Sequence, residues 1–298
     1  MASPTPIVRA HRGTIFLNEA TVLAVDHFDG AQHYLRLDCP ALAACAQPGC
    51  FVHLRCDDLL PMRRPMSVMR VSASHGWVDV LYKAHGVGTA LLATRVVGDR
   101  ISVLGPIGRP FKLNGYRRQP LLIGGGVGIP PMVFLAEHMR ATRAPVQPLV
   151  LMGSEVPFPF RARPSQLLVP GVPADVIAAM PLLEDWGMAS RLASLAGYPG
   201  CYIGYVTDLA RNWIDQSGAD RAEIEIFACG PTPMLRAVAA LAARYQLPCQ
   251  ISLEEYMACA VGGCAGCTVK VATANGPAMK RVCVDGPVFE AGAVVFQD

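Results

Sequence analysis

The sequence predicts a multidomain β and α/β protein: an antiparallel β-barrel, then a parallel-sheet unit, then a small C-terminal cysteine segment. Three observations predict it. Residues 13–110 contain short runs rich in β-branched and aromatic residues, punctuated by Gly and Pro. From Gln119 the rhythm changes to strand, glycine turn and helix, and that unit recurs. Near the C-terminus Cys259, Cys264, Cys267 and Cys283 stand in the order C-x4-C-x2-C-x15-C. The expected units span residues 1–114, 115–250 and 251–298.

Within the first unit the expected strands are GTIFLNEATVLAVDHF, HYLRLDCP, GCFVHLRC, RPMSVMRVSA, GWVDVLYKA and DRISVLGPIG, with one helix at Gly88–Val97. In the second, PLLIGGGVGIPPMVFLAEHMRATR reads as strand, turn and helix, with Pro130 or Pro131 suited to the first helical turn. VQPLVLMGSE is a second strand, and EIEIFACG followed by PTPMLRAVAALAARYQ a later strand and helix. The stretch Phe158–Pro199, rich in Pro and short apolar runs, yields no clear elements. In the last unit VKVAT and the closing VVF read as small strands.

The chain has 298 residues, 52% hydrophobic and 16% charged, ample for several cores. A net charge of +3 is too small to argue for nucleic acid or an anionic membrane surface, and neither is expected as a partner. No apolar run is long enough to span a bilayer, and MASPTPIVRAHRG lacks a signal-peptide core, so a cytoplasmic location is expected. Eleven cysteines in such a chain fit a reducing compartment better than a disulfide framework. Cys39, Cys45, Cys50 and Cys56 have spacers of five, four and five residues, matching no metal template, and are expected as buried or edge thiols.

The C-terminal cysteines match the plant-type [2Fe–2S] spacing. Gly262, Gly263 and Gly266 sit where a loop must wrap tightly around a small cluster. Zinc, the alternative, usually brings paired short spacers, which this stretch lacks. A cluster moves single electrons, so an electron source and sink are expected elsewhere.

Upstream, Arg64-Pro65-Met66-Ser67 opens a strand; an arginine there suits a diphosphate, although an ordinary surface strand start reads the same. Leu81-Tyr82-Lys83 precedes Gly88 and Thr89 at a helix start, either an anion site or a plain cap. Gly124, Gly125, Gly126 and Gly128 follow a strand and open a helix, a setting suited to pyrophosphate, but Ile129 replaces the third glycine of the dinucleotide fingerprint. Cys229, Gly230, Pro231 and Met234 sit at a second strand–helix junction, where Cys229 reads as a ligand-facing or a buried small residue. Glu254 and Glu255 read as a solvated pair capping a turn, and His85 as a surface residue.

Taken in order, these motifs resemble the ferredoxin–NADP reductase superfamily. The stretch Leu253–Phe289, with Arg281-Val282-Cys283-Val284-Asp285-Gly286-Pro287-Val288-Phe289, resembles the electron-transfer subunits of NAD-dependent dihydroorotate dehydrogenases. The resemblance implies FAD held by Arg64, Pro65, Met66, Ser67, Leu81, Tyr82, Lys83, Gly88 and Thr89. It implies NAD at Gly124–Gly128 and Cys229–Met234, and the cluster on Cys259, Cys264, Cys267 and Cys283. It further implies an FMN-containing catalytic subunit as partner, two copies of each, and a place in pyrimidine synthesis. The chain departs from the family in carrying Met66 where many relatives have an aromatic residue, and in lacking a Thr-x-Asp-Gly-Ser stretch before Gly204-Tyr205-Val206-Thr207-Asp208. For the ribose, Glu155 favours NAD, whereas Arg161 and Arg163 would suit a 2′-phosphate. A reductase subunit serving ferredoxin or a hydrogenase shares every motif; a redox sensor without nucleotide sites shares only the cysteines.

Overall fold

The structure is a computed structural model and describes residues 14–112, 116–143 and 145–296. The N-terminal stretch behind the no-leader expectation and the expected 114/115 boundary lie outside these residues. Strands β1 (Phe16–Phe28), β2 (Gln32–Asp38), β3 (Phe51–Leu54), β4 (Arg64–Ser72), β5 (Trp77–Lys83) and β6 (Arg100–Ile107) close a barrel in the order β1-β2-β5-β4-β3-β6. All its pairings are antiparallel. Alternation explains the closure: Val22, Leu35, Leu37, Val52, Leu54, Val68, Val78 and Val80 point inward into one core. Helix α1 (Pro40–Ala43) covers one side, and α2 (Val87–Leu92) ends five residues before the expected helix, because Thr94 and Arg95 close it with turn bonds to Leu91 and Leu92.

Next come β7 (Gln119–Gly125), α3 (Ile129–Ala141), β8 (Leu149–Gly153), a short pair β9 (Arg163–Pro164) and β10 (Ala178–Ala179), α4 (Pro181–Asp185) and β11 (Ala189–Ala193). Then follow α5 (Val206–Gln216), β12 (Ile224–Cys229), α6 (Thr232–Tyr245), β13 (Cys249–Ser252), the hairpin β14 (Thr268–Thr273) and β15 (Gly276–Arg281), α7 (Val282–Asp285) and β16 (Val288–Glu290). One sheet runs β11-β8-β7-β12-β13-β16, parallel except for the antiparallel edge strand β16. The two central strands β7 and β12 are buried nearly end to end, as a sheet covered on both faces requires.

Two elements differ from expectation. The unread stretch supplies β11, hidden because Ser190 and Arg191 are polar yet buried. The Arg191 guanidinium donates to the carbonyls of Ser190 (2.7 Å) and Leu167 (2.6 Å), which compensates its burial. The closing strand is not VVF: Val288–Glu290 pairs with β13, while Val294 makes a single bridge to Val271. Cys39, Cys50 and Cys56 are buried and Cys45 is exposed, in line with ordinary thiols.

Barrel and sheet are joined by charged and aromatic contacts. Arg70 on β4 pairs with Glu137 on α3 at 2.6 Å and lies beside the rings of Trp77 and Trp186. At the barrel's exit, the Arg109 main chain donates to the Gly286 carbonyl and its side chain donates to the Val284 carbonyl. The cysteine segment is thus tied to the barrel as well as to the sheet.

Candidate functional site

Three groups of residues gather along the junction of barrel, sheet and cysteine segment. On β4, strand alternation splits the Arg64–Ser67 motif. Met66 turns into the barrel core with Val52 and Leu54, whereas Pro65 and Ser67 share the opposite face with His53 and Phe51, their cross-strand partners. Gly88 lies directly against Arg64: a Cβ there would sit 3.2 Å from the guanidinium carbon and two of its nitrogens. The two motifs, 24 positions apart in the chain, therefore meet, and the glycine leaves room for the arginine head beside the turn.

The Thr89 hydroxyl is engaged locally. It accepts from the His85 N–H (2.7 Å) and donates to the His85 carbonyl (2.9 Å), fixing the loop before α2. Leu81 faces the cleft toward α3; Tyr82 points into the barrel, its buried hydroxyl without a partner among the described residues and pushed up in pKa by burial. Lys83 and His85 are exposed. Between the barrel's outer face and α3 lies a cleft of about 180 Å³ lined by Met69, Leu81, Ile129, Phe160 and Met180.

The second group is the glycine turn and the Cys229 junction. Strands β7 and β12 are neighbours in register, Gly124 opposite Cys229, so both turns emerge at the same sheet edge. They interlock: a Cβ on Gly128 would collide with the Cys229 carbonyl, and one on Gly125 with the Met234 sulfur. Gly126 adopts φ +53°, the left-handed conformation that favours glycine. Pro130 and Pro131 occupy the first turn of α3, as expected. Cys229 is 1% exposed, and its thiol pKa is raised well above the ordinary value by burial and by the Glu254 carboxylate.

Glu254 is exposed, as the solvated-cap expectation has it, but it also touches a buried thiol. Its Oε1 lies 3.9 Å from the Cys229 sulfur, and desolvation there pushes the carboxyl up to about 7. The contact follows from topology: Cys229 pairs with Ser252 across β12–β13, which delivers Glu254 to the thiol.

The cysteines form the third group. Cys267 and Cys283 are buried with sulfurs 3.4 Å apart, while Cys259 is half-buried and Cys264 exposed. The Cys264 N–H lies 3.4 Å from the Cys259 sulfur, and the Gly266 N–H 3.4 Å from the Cys264 sulfur. Among the described residues, no set of three His, Cys, Asp or Glu converges as a ready metal grip. Pairs of thiols are nonetheless what a two-iron cluster uses, since each iron takes two protein ligands. Burial raises the Cys259 thiol pKa, but main-chain N–H groups of Val261, Cys264 and Gly263 outweigh it and bring the thiol down, toward the thiolate that ligates iron. Cys283 is pushed up by burial and by the neighbouring Cys267.

Ala260 and Ala265 both sit at φ +55° and Gly262 at +83°, so the loop curls tightly at cost to two non-glycine residues. Arg281 pins it from β15, donating to the Gly262 carbonyl at 2.9 Å. Behind it, Ala260, Cys267 and Cys283 share a core with Phe51 of β3. Sequence reasoning passed over one residue here, His53, whose place beside the β4 motif depends on cross-strand register rather than on a motif.

Comparison with known proteins follows the same division. Residues 254–295 match the family model described as the iron–sulfur cluster binding domain of dihydroorotate dehydrogenase B. The chain is 33% identical to the dihydroorotate dehydrogenase B (NAD(+)) electron transfer subunit of Shouchella clausii, over 97% of this chain and all of that protein. It is 32% identical to the protein of the same name from Desulforamulus reducens, over 94% and 98% of the two chains. Among solved structures, a chain of an NADH-dependent reduced ferredoxin–NADP oxidoreductase superposes with TM-score 0.74 at 24% identity, covering 93% of this chain and 89% of that one. A ferredoxin reductase of carbazole 1,9a-dioxygenase gives 0.61 at 21%, over 78% and 67%. These two likenesses bear on the fold.

Proposed function

Because the chain belongs to the family of electron-transfer subunits of NAD-dependent dihydroorotate dehydrogenase B, we propose that it carries electrons from an FMN-containing catalytic subunit to NAD⁺. The overall reaction converts dihydroorotate and NAD⁺ to orotate, NADH and a proton, a step in de novo pyrimidine synthesis. One observation carries the reading: the paired cysteines sit on a segment whose core includes Phe51, the cross-strand neighbour of Ser67 in the Arg64–Ser67 motif. In this reading strand β3 backs both a one-electron site and a flavin site.

In this reading Cys259, Cys264, Cys267 and Cys283 ligate a [2Fe–2S] cluster. FAD would lie over the outer face of β4 and β5, its diphosphate held by Arg64 beside Gly88, with Pro65, Ser67, Leu81, Lys83 and Thr89 shaping the site and the inward side chains of Met66 and Tyr82 backing it from the barrel core. NAD takes the sheet edge at Gly124–Gly128, with Cys229, Gly230, Pro231 and Met234 packing its nicotinamide end. When bound, the cluster supplies single-electron steps and the flavin converts them to the hydride that nicotinamide accepts. The chain's own work is positioning: Cys229, held as a neutral thiol by burial, presents a small apolar wall. Glu155, just after β8, favours an unphosphorylated ribose and hence NAD. A cytoplasmic assembly with two copies of each subunit completes the reading. No helix among the described residues is long and apolar enough to cross a membrane.

Co-expression with a dihydroorotate-oxidising subunit tests it. Wild type is expected to reduce NAD⁺ on addition of dihydroorotate, and Cys264→Ser to lose that coupling while keeping NADH-dependent dye reduction. Full coupling in the mutant would sink the relay.

A further inference from the structure

His53 is 1% exposed, and neither ring nitrogen has a hydrogen-bond partner among the described residues. A buried polar ring left unpaired in a native core calls for a reason. Its position supplies one. On β3 it lies opposite Pro65 of the β4 motif, and it shares a face with Phe51, which belongs to the same buried core as Ala260, Cys267 and Cys283. Between Phe51 and His53 the pairing with β6 slips by one residue, from Ile107 to Leu104, and such a bulge re-aims a side chain.

The nearby donors are already committed. The Arg63 guanidinium donates to the carbonyls of His53 and Ser102 and to the Ser102 hydroxyl, and that of Arg64 to the carbonyls of Met62 and Arg63. Two main-chain groups face the ring, that of Arg63, whose carbonyl already accepts from Arg64, and that of Met257, two residues before Cys259. Burial and the two guanidinium charges hold the imidazole neutral, so it has one N–H to give.

We propose that His53 is a positioning residue that ties the lead-in of the cysteine loop to the flavin strand, its imidazole N–H donating to the main-chain carbonyl of Met257. The role rests on the cofactor assignment above, but the tether itself is a property of this chain. It places one side chain between the two redox sites and fixes their separation without touching the reacting atoms. Neutrality suits the task, because a histidinium there would face Arg63 and Arg64 and would titrate the contact.

The test uses the full-length protein as purified, in wild type, His53→Leu, which fills the space without a donor, and His53→Gln, which restores one. Amide hydrogen exchange over residues 254–262 is expected to quicken about tenfold in the leucine variant and to return within about threefold of wild type in the glutamine variant, the change for one neutral hydrogen bond. Bleaching of cluster absorbance by NADH should slow about tenfold in His53→Leu with the KM for NADH unchanged, and Gln should recover most of the rate. A leucine variant with wild-type exchange would overturn the tether. So would an equal loss in the leucine and glutamine variants, which marks plain packing. Should His53→Leu not accumulate, His53→Met carries the same comparison. Flavin and cluster bands of the wild-type sample report separately on the cofactor assignment: their absence would refute that reading, while exchange still decides the tether.

Discussion

The nucleotide edge and the cysteine loop are built in opposite ways. At the edge, backbone packs on backbone: Gly128 against the Cys229 carbonyl, Gly125 against Met234, with both strands buried. The site is complete as soon as the sheet forms. The loop instead carries exposed residues, Tyr256 at 92% and Val261 at 50%, with the Cys264 N–H against the Cys259 sulfur and the Cys267 and Cys283 sulfurs side by side behind it. It is shaped by N–H groups, one arginine and a few bent residues, and its bound group supplies the remaining order. On the proposed assignment, a site for a diffusing ligand is prepared by topology, whereas a site for a resident cofactor leaves part of its order to the cofactor.

The largest effect that tests this contrast is expected at Gly128. In Gly128→Val the new side chain meets main-chain atoms that cannot swing away, so the loss should be about 2–4 kcal/mol in urea unfolding, with the fold itself in jeopardy. A loss below about 1 kcal/mol would mean the edge is softer than described.

Next in size is a pH effect at Glu254. Its carboxyl titrates higher in the folded state, about 7, than in the unfolded chain, so the folded state binds more protons in between. Stability from this group is full below about pH 4.5 and is lost as pH rises through 7. Discounted for the residue's exposed face, the loss is about 1 kcal/mol. Glu254→Gln should therefore decline less than wild type between pH 5 and 8.5; parallel curves would remove the Cys229–Glu254 contact from the account.

The smallest is Arg281→Met, which deletes the bond to the Gly262 carbonyl from a partly exposed loop. Global stability should fall by about 0.5 kcal/mol, while Cys264 should react faster with a thiol reagent in the cluster-free protein. Unchanged reactivity would show that the loop does not depend on its arginine.

Much of this architecture is legible in the sequence because it is locally encoded. The barrel follows from alternation in runs such as FVHL and WVDVLYK, and the glycine turns from their place between apolar strands and helices. The cysteine spacing announces its loop outright. What escaped depends on partners far away in the chain. Strand β11 looks polar because nothing local shows that the distant Leu167 carbonyl will accept from the buried Arg191 guanidinium. The Glu254 contact escaped because nothing nearby in sequence shows that β13 will set this carboxyl beside Cys229. His53 sits unremarked in an alternating strand until cross-strand register places it opposite Pro65. The inward turn of Met66 escaped for another reason: a motif specifies residue types, whereas alternation decides which of them share a face.

Strand β16 carries a consequence of another kind. Ser252 at the end of β13 and Val288 at the start of β16 are direct partners, so the chain leaves the sheet and returns to it at one point. Everything between them, the cysteine loop, its hairpin and α7, is an excursion with touching ends. A segment attached in this way can be lengthened, shortened or exchanged without re-registering the parallel strands. For protein engineering it is a cassette: a different electron carrier grafted between Ser252 and Val288 would inherit the same anchorage in the sheet.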